Sequence, residues 1–135
     1  MAIDLPDDPD FETAHGASED ALAAAQQDLG VPLPADYVAF LRQSDGAGGW
    51  LRGSPIQLWP ADELARSNRE HPDYGDGLVL IGSDGCGNAL SLDLSRTPAT
   101  AVVFPWIGGP EPEVTDTYAG GFAELLSDYG RWFRE

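Results

Sequence analysis

The chain has 135 residues, 42% of them hydrophobic, which is enough for one core and too little for two. Seven basic residues, all arginine, stand against 23 acidic ones, and the formal net charge of −16 excludes nucleic acid and anionic membrane as natural partners, because each phosphate contact needs a cation. The single cysteine, Cys86, excludes an intramolecular disulfide and fits a reducing cytoplasm, and no run approaches the roughly 20 apolar residues that span a bilayer.

The first residues, MAIDLPDDPDFE, are acidic and proline-punctuated, the opposite of a signal peptide's basic start and apolar middle. Residues 1–16 are expected to form a flexible acidic arm: Asp4, Asp7, Asp8, Asp10 and Glu12 leave too few apolar side chains to fold alone. Residues 17–135 are expected to form one domain. Its first helix begins at Ser18, a suitable N-cap, with Glu19 and Asp20 at the positive end of the dipole. Leu22, Ala25 and Leu29 recur at helical spacing, and Gly30 suits the left-handed position that ends a helix. A second helix starts at Pro34, places Tyr37, Phe40 and Leu41 on one face, and closes near Asp45-Gly46.

The periodicity then changes. Trp50, Leu51, Ile56, Leu58 and Trp59 lie in short runs around Gly53 and Pro55 and read as one or two strands. Pro60–Glu70 reads as a helix with a narrow apolar edge at Ala61, Leu64 and Ala65, stopped by His71-Pro72. Leu78–Ile81 is a compact apolar strand. A half-buried strand over Ala89–Leu94 alternates apolar and polar residues, and Thr100–Trp106 is rich in β-branched and aromatic residues. Short turns between three such runs predict an antiparallel meander. Phe122, Leu125, Leu126, Tyr129 and Phe133 mark a closing helix, interrupted at Gly130, with Arg131 and Arg134 near its C-terminal dipole. The predicted fold is α+β: a mainly antiparallel central sheet carrying an N-terminal helix pair and a C-terminal helix.

No set of residues builds a catalytic centre. The glycines of Gly82–Gly87 lead into a strand, whereas a phosphate loop must open a helix, and the G-K-[ST] lysine is missing from a chain without lysine. A hairpin turn is the better account, with Gly85 and Gly87 at positive φ and Asp84 or Asn88 bonded to local backbone. Asp84, Asp93 and Asp76 lack the alternating spacing of a calcium loop, and His15, His71 and one cysteine cannot form a structural zinc site. A Cys86–His71 nucleophile pair would sit among acidic residues, with no cation nearby to activate the thiol. No G-x-S-x-G elbow is present. No catalytic residue, metal ligand, cofactor or small-molecule ligand is therefore expected.

Trp50, Trp59, Trp106 and Trp132 are expected mostly in the core. Trp106 differs, because Pro105–Pro110 reads as a loop carrying apolar side chains into solvent. Ringed by Glu111, Glu113 and Asp116, it would anchor a basic protein partner. Asp45, Trp50 and Asp84 complete the candidate partner-binding set. Acidity also serves solubility or adaptation to salt, so charge alone names no partner.

The order of these pieces resembles a known family. Leu29-Gly30-Val31-Pro32-Leu33-Pro34-Ala35-Asp36-Tyr37-Val38-Ala39-Phe40-Leu41 is similar to the "LG-x-x-LP-x-dy-x-x-fL" helix pair of the SUKH superfamily, bacterial immunity proteins related to a fungal regulator of cell-wall synthesis and killer-toxin resistance. Asp45-Gly46 resembles its "nG" turn, Ile81–Asn88 its glycine-rich hairpin, Asp93 its strand aspartate, and Phe122–Leu126 its closing helix. Gln26, Asp45 and Asn88 depart from the glutamate, asparagine and acid that the family often carries there. The resemblance covers residues 18–133 and implies an α+β domain without catalytic residues that, in bacteria, neutralises a cognate toxin. It points to an immunity-type protein that occludes a basic toxin domain. The alternative is a regulatory or scaffolding interaction domain with no toxin, and a carboxylate-dependent hydrolase is the third reading.

Overall fold

The computed structural model describes residues 3–71, 77–107 and 115–129. Among the described residues, seven strands form one antiparallel sheet in which each pairs with its neighbour in sequence. They are β1 (Phe11–Thr13), β2 (Ala47–Leu51), β3 (Ser54–Leu58), β4 (Leu78–Ser83), β5 (Asn88–Asp93), β6 (Thr100–Pro105) and β7 (Asp116–Tyr118). Helices α1 (Glu19–Leu29) and α2 (Ala35–Gln43) precede β2, α3 (Ala61–Glu70) joins β3 to β4, and α4 (Phe122–Asp128) follows β7. The α+β class and the antiparallel sheet are as the sequence predicts.

Local chemistry sets the helix ends. The Ser18 hydroxyl accepts from Ala21 N–H, and Gly30 at φ 78° returns its N–H to Gln26 and Gln27 carbonyls. The Gln26 side chain also accepts from Leu33 N–H at 2.8 Å, which pins the turn into α2. Pro34 occupies the N-cap of α2, one position before the expected first turn, and the helix ends at Gln43, short of Asp45-Gly46. Ser44 explains the early stop: its hydroxyl bonds Gly46 O and accepts from Ala14 N–H. Arg42 forks onto Glu19 at 2.9 Å and ties α2 to α1; the pair holds the Glu19 carboxyl below its ordinary value.

The stretch expected as an acidic arm supplies β1. Phe11 is 6% exposed and joins the core, Glu12 pairs with Gly48, and Ile3 exchanges two hydrogen bonds with the Gln43 amide. One large apolar residue is enough here because β2 and α2 already offer a surface to cover.

The main core lies between the sheet and the helices. Leu22, Tyr37, Phe40, Leu41, Leu64, Phe122, Leu125 and Leu126 pack on Leu51, Ile56, Leu58, Val79, Ile81, Leu90, Leu92, Ala101 and Val103. Phe122 sits edge-on to Tyr37 at 5.0 Å and tilted against Phe40 at 4.9 Å. Asn68 fastens α3 to β4, donating to Leu80 O and accepting from Leu80 N–H.

The opposite sheet face carries a second cluster of Leu80, Ala89, Val102 and Phe104, edged by Trp59, Leu78 and Trp106. This corrects the expectation of a half-buried strand at Ala89–Leu94, since β5 is buried on both faces from Ala89 to Leu92. Ser91 is tolerated because its hydroxyl donates to Val79 O at 3.0 Å.

The closing helix is also shorter than its apolar stripe predicts. Tyr129 turns to ψ 132° after Asp128, its phenol donates to Pro55 O, and Arg52 donates to the carbonyls of Leu126 and Tyr129. Arg52 in the β2–β3 turn thus places a cation at this helix end. Arg131, Phe133 and Arg134 lie outside the described residues.

Candidate functional site

The β4–β5 connection is a closed hairpin. Asp84 is 8% exposed, and one carboxylate oxygen accepts from Cys86 and Asn88 N–H at 2.7 and 3.0 Å. The other accepts from the Asn88 side-chain amide at 2.8 Å. Gly85 and Gly87 take φ values of 71° and 98°, as the turn requires, and the chain continues directly into β5. Among the described residues the bend leads into a strand, whereas a phosphate cradle of the helix-capping kind opens a helix. Asp93 likewise serves a turn, accepting from Ser95 N–H and hydroxyl, with Arg96 at 3.7 Å. Cys86 is exposed at the hairpin tip, while the His71 ring lies 4.7 Å from that of Trp106. Among the described residues, no three His, Cys, Asp or Glu side chains group so as to hold a metal ion.

Of the seven candidate partner-binding residues, the five that are described do not all lie together. Asp45 is half-buried and accepts from Ala61 N–H at 2.7 Å, so it caps α3 from a distant loop. Trp106 departs from the expected solvent-facing anchor. It is half-buried at the margin of the second cluster, and its N–H donates to Gly87 O. The neighbouring Ile107, at 93% exposure, is the side chain that enters solvent. Asp116 is exposed on β7, opposite Val103. Glu111 and Glu113 lie outside the described residues.

Trp50 breaks the expectation of a core tryptophan. It is 54% exposed on β2, on the face turned away from the helices. Its register partner on β3 is Pro55, and its N–H donates to Asp10 O at 2.9 Å. Directly opposed residues of an antiparallel pair share a face, so Asp10, Trp50 and Pro55 form one row and Glu12, Gly48 and Gln57 the next. The β4–β5 hairpin approaches this face, because a methyl group at Gly85 would stand 3.7 Å from Pro55. Pro55 thus lies between Trp50 and the Asp84 hairpin, Trp106 is tied to the same hairpin through Gly87 O, and Asp116 stands apart on β7. Asp10, Glu12 and Pro55 were missed by sequence reasoning. The polar–apolar–polar order of Asp10-Phe11-Glu12 was the available strand signal, and it is only one alternation long.

The family model described as SMI1 / KNR4 family (SUKH-1) matches residues 16–128. The chain belongs to the SUKH family. No curated protein matches it. Gln26, Asp45 and Asn88 each have a structural use: Gln26 holds the helix-pair turn, Asp45 caps α3, and the Asn88 amide donates to Asp84. Among the described residues, no helix is long and apolar enough to cross a membrane.

Proposed function

We propose that this SUKH protein is an immunity-type binding protein that neutralises a cognate polymorphic toxin by covering it. Family membership over residues 16–128 is the observation that carries the reading, and the net charge of −16 supports a cationic partner such as a nuclease domain. A nuclease active site must attract phosphate and therefore presents arginine and lysine. An acidic domain competes for those cations and keeps the substrate out. The carboxylates of Asp45, Asp84 and Asp93 serve as a cap and as turn acceptors, which supports a role by contact and not by catalysis. The domain is proposed to act in the cytoplasm, where such a toxin would meet its target.

Co-expression with the toxin domain encoded beside this gene tests the proposal. Growth is expected to be restored by the full chain and lost again when the chain is omitted. Undiminished killing in the presence of folded chain would favour a regulatory interaction domain without a toxin partner.

A further inference from the structure

We propose that the outer face of β1–β3 is a docking surface for an arginine-bearing segment of a basic protein, with Trp50 as the platform and Asp10 and Glu12 as the charged rim. This assignment rests on the immunity reading and adds which face meets the partner. A tryptophan that is 54% exposed leaves much of its apolar surface in water, although the same protein buries Tyr37, Phe40, Phe104 and Phe122 completely. Its position is set by register. Trp50 stands opposite Pro55, and the adjacent position on its own strand-face is Gly48, which has no side chain to cover the indole.

Chemistry selects the occupant. Glu12 is exposed on β1 opposite Gly48, and Asp10 is exposed in the turn just before β1, where its carbonyl accepts from Trp50 N–H. A guanidinium group satisfies both parts of this surface, because its plane stacks on indole while its N–H groups reach carboxylates. An ammonium group matches the charge without the stacking geometry. An acidic or purely apolar segment would leave the two carboxylates facing unfavourable company. The net charge of −16 further brings cationic chains to the surface and repels a second copy of this one.

The test uses the full chain, labelled for amide and indole NMR, with an oligo-arginine peptide as probe and an oligo-lysine peptide of equal length as comparison. The arginine peptide is expected to shift the Trp50 indole signal and the amides of β1–β3, and to bind more tightly than the lysine peptide. Trp50→Ala is expected to weaken arginine-peptide binding about fivefold, while Trp50→Phe retains most of it. Asp10→Asn and Glu12→Gln are each expected to cost about threefold and to flatten the salt dependence. Melting curves of the variants establish that each is folded. Equal binding of both peptides with no effect of Trp50→Ala, or shifts confined to another face, would overturn the assignment. The toxin co-expression assay separates the two levels. Failure of the wild-type chain to protect removes the immunity reading alone, whereas full protection by Trp50→Ala removes this face from the toxin interface.

Discussion

Arg52 carries a cost and a benefit that two substitutions can separate. It is the non-glycine residue at positive φ among the described residues, at 52°, and with Gly53 at 81° it makes the two-residue β2–β3 turn. Turns of this hand favour asparagine or glycine at the first position, and an arginine there costs about 1 kcal/mol. Its guanidinium offsets that cost by donating to Leu126 O and Tyr129 O at 2.9 Å each, at the end of α4 where a cation also meets the negative pole of the helix. Hydrogen bonds from a charged donor are worth about 1.5 kcal/mol apiece at the low end, which suits half-buried partners, so the pair contributes about 3 kcal/mol. Arg52→Ala keeps the strain and loses both bonds, and a loss of about 3 kcal/mol is expected. Arg52→Gly loses the bonds but relaxes the backbone, and a loss of about 2 kcal/mol is expected. Urea unfolding followed by circular dichroism reads both from the shift in midpoint at constant slope. An alanine variant as stable as the glycine variant would refute the strain argument, and one as stable as wild type would refute the capping argument.

Three further outcomes follow from buried polar groups. Asp45→Ala removes the acceptor for Ala61 N–H and is expected to cost about 1 kcal/mol, with Asp45→Asn largely restoring it in the same urea assay. The Tyr37 hydroxyl is fully buried and has no hydrogen-bond partner among the described residues, so Tyr37→Phe removes an unsatisfied group and should leave stability unchanged or raise it by about 1 kcal/mol. A loss beyond that size would mean the hydroxyl has a use that its surroundings do not reveal. Burial pushes the phenols of Tyr37, Tyr118 and Tyr129 well above their ordinary value of 10.0, with nearby acids adding to the effect. The native state therefore holds these protons more tightly than the unfolded chain. The stability they lend is complete below pH 10.0 and falls as pH rises through the native values. Melting temperature should be flat on the near side of that pH and drop beyond it, with tyrosinate absorbance appearing together with unfolding. Phenols that titrate near the ordinary value while the native spectrum persists would contradict this.

Elements governed by near neighbours were legible in the sequence. Ser18 and Gly30 bracket α1 because both caps bond within one turn, and the β4–β5 hairpin follows from two glycines flanked by Asp84 and Asn88. Elements governed by distant partners were not. β1 has one buried large residue, and its pairing depends on β2, more than thirty residues on. The end of α4 is set by Pro55 and Arg52 across the sheet, so a continuous apolar stripe through Phe133 gave no warning of the turn at Tyr129. Gly82 shows the same limit. A methyl group there would stand 2.0 Å from Gln57 O, so the glycine serves the approach of β3 to β4 as well as the turn that follows. Candidate binding residues fared unevenly for a related reason. Acidic residues are abundant, and only the register distinguishes Asp45, spent on a helix cap, from Asp10 and Glu12, which border an exposed indole.

Neutralisation by contact is the claim on which the functional account depends, and stoichiometry measures it most directly. Purified toxin domain is titrated with the full chain while its activity is followed. Activity is expected to fall in proportion to added chain, vanish at one equivalent, and return when the two are separated by denaturation and refolding of the toxin. Complete and lasting inactivation by a small fraction of an equivalent would mean that the chain turns over its partner, and the contact mechanism would be wrong.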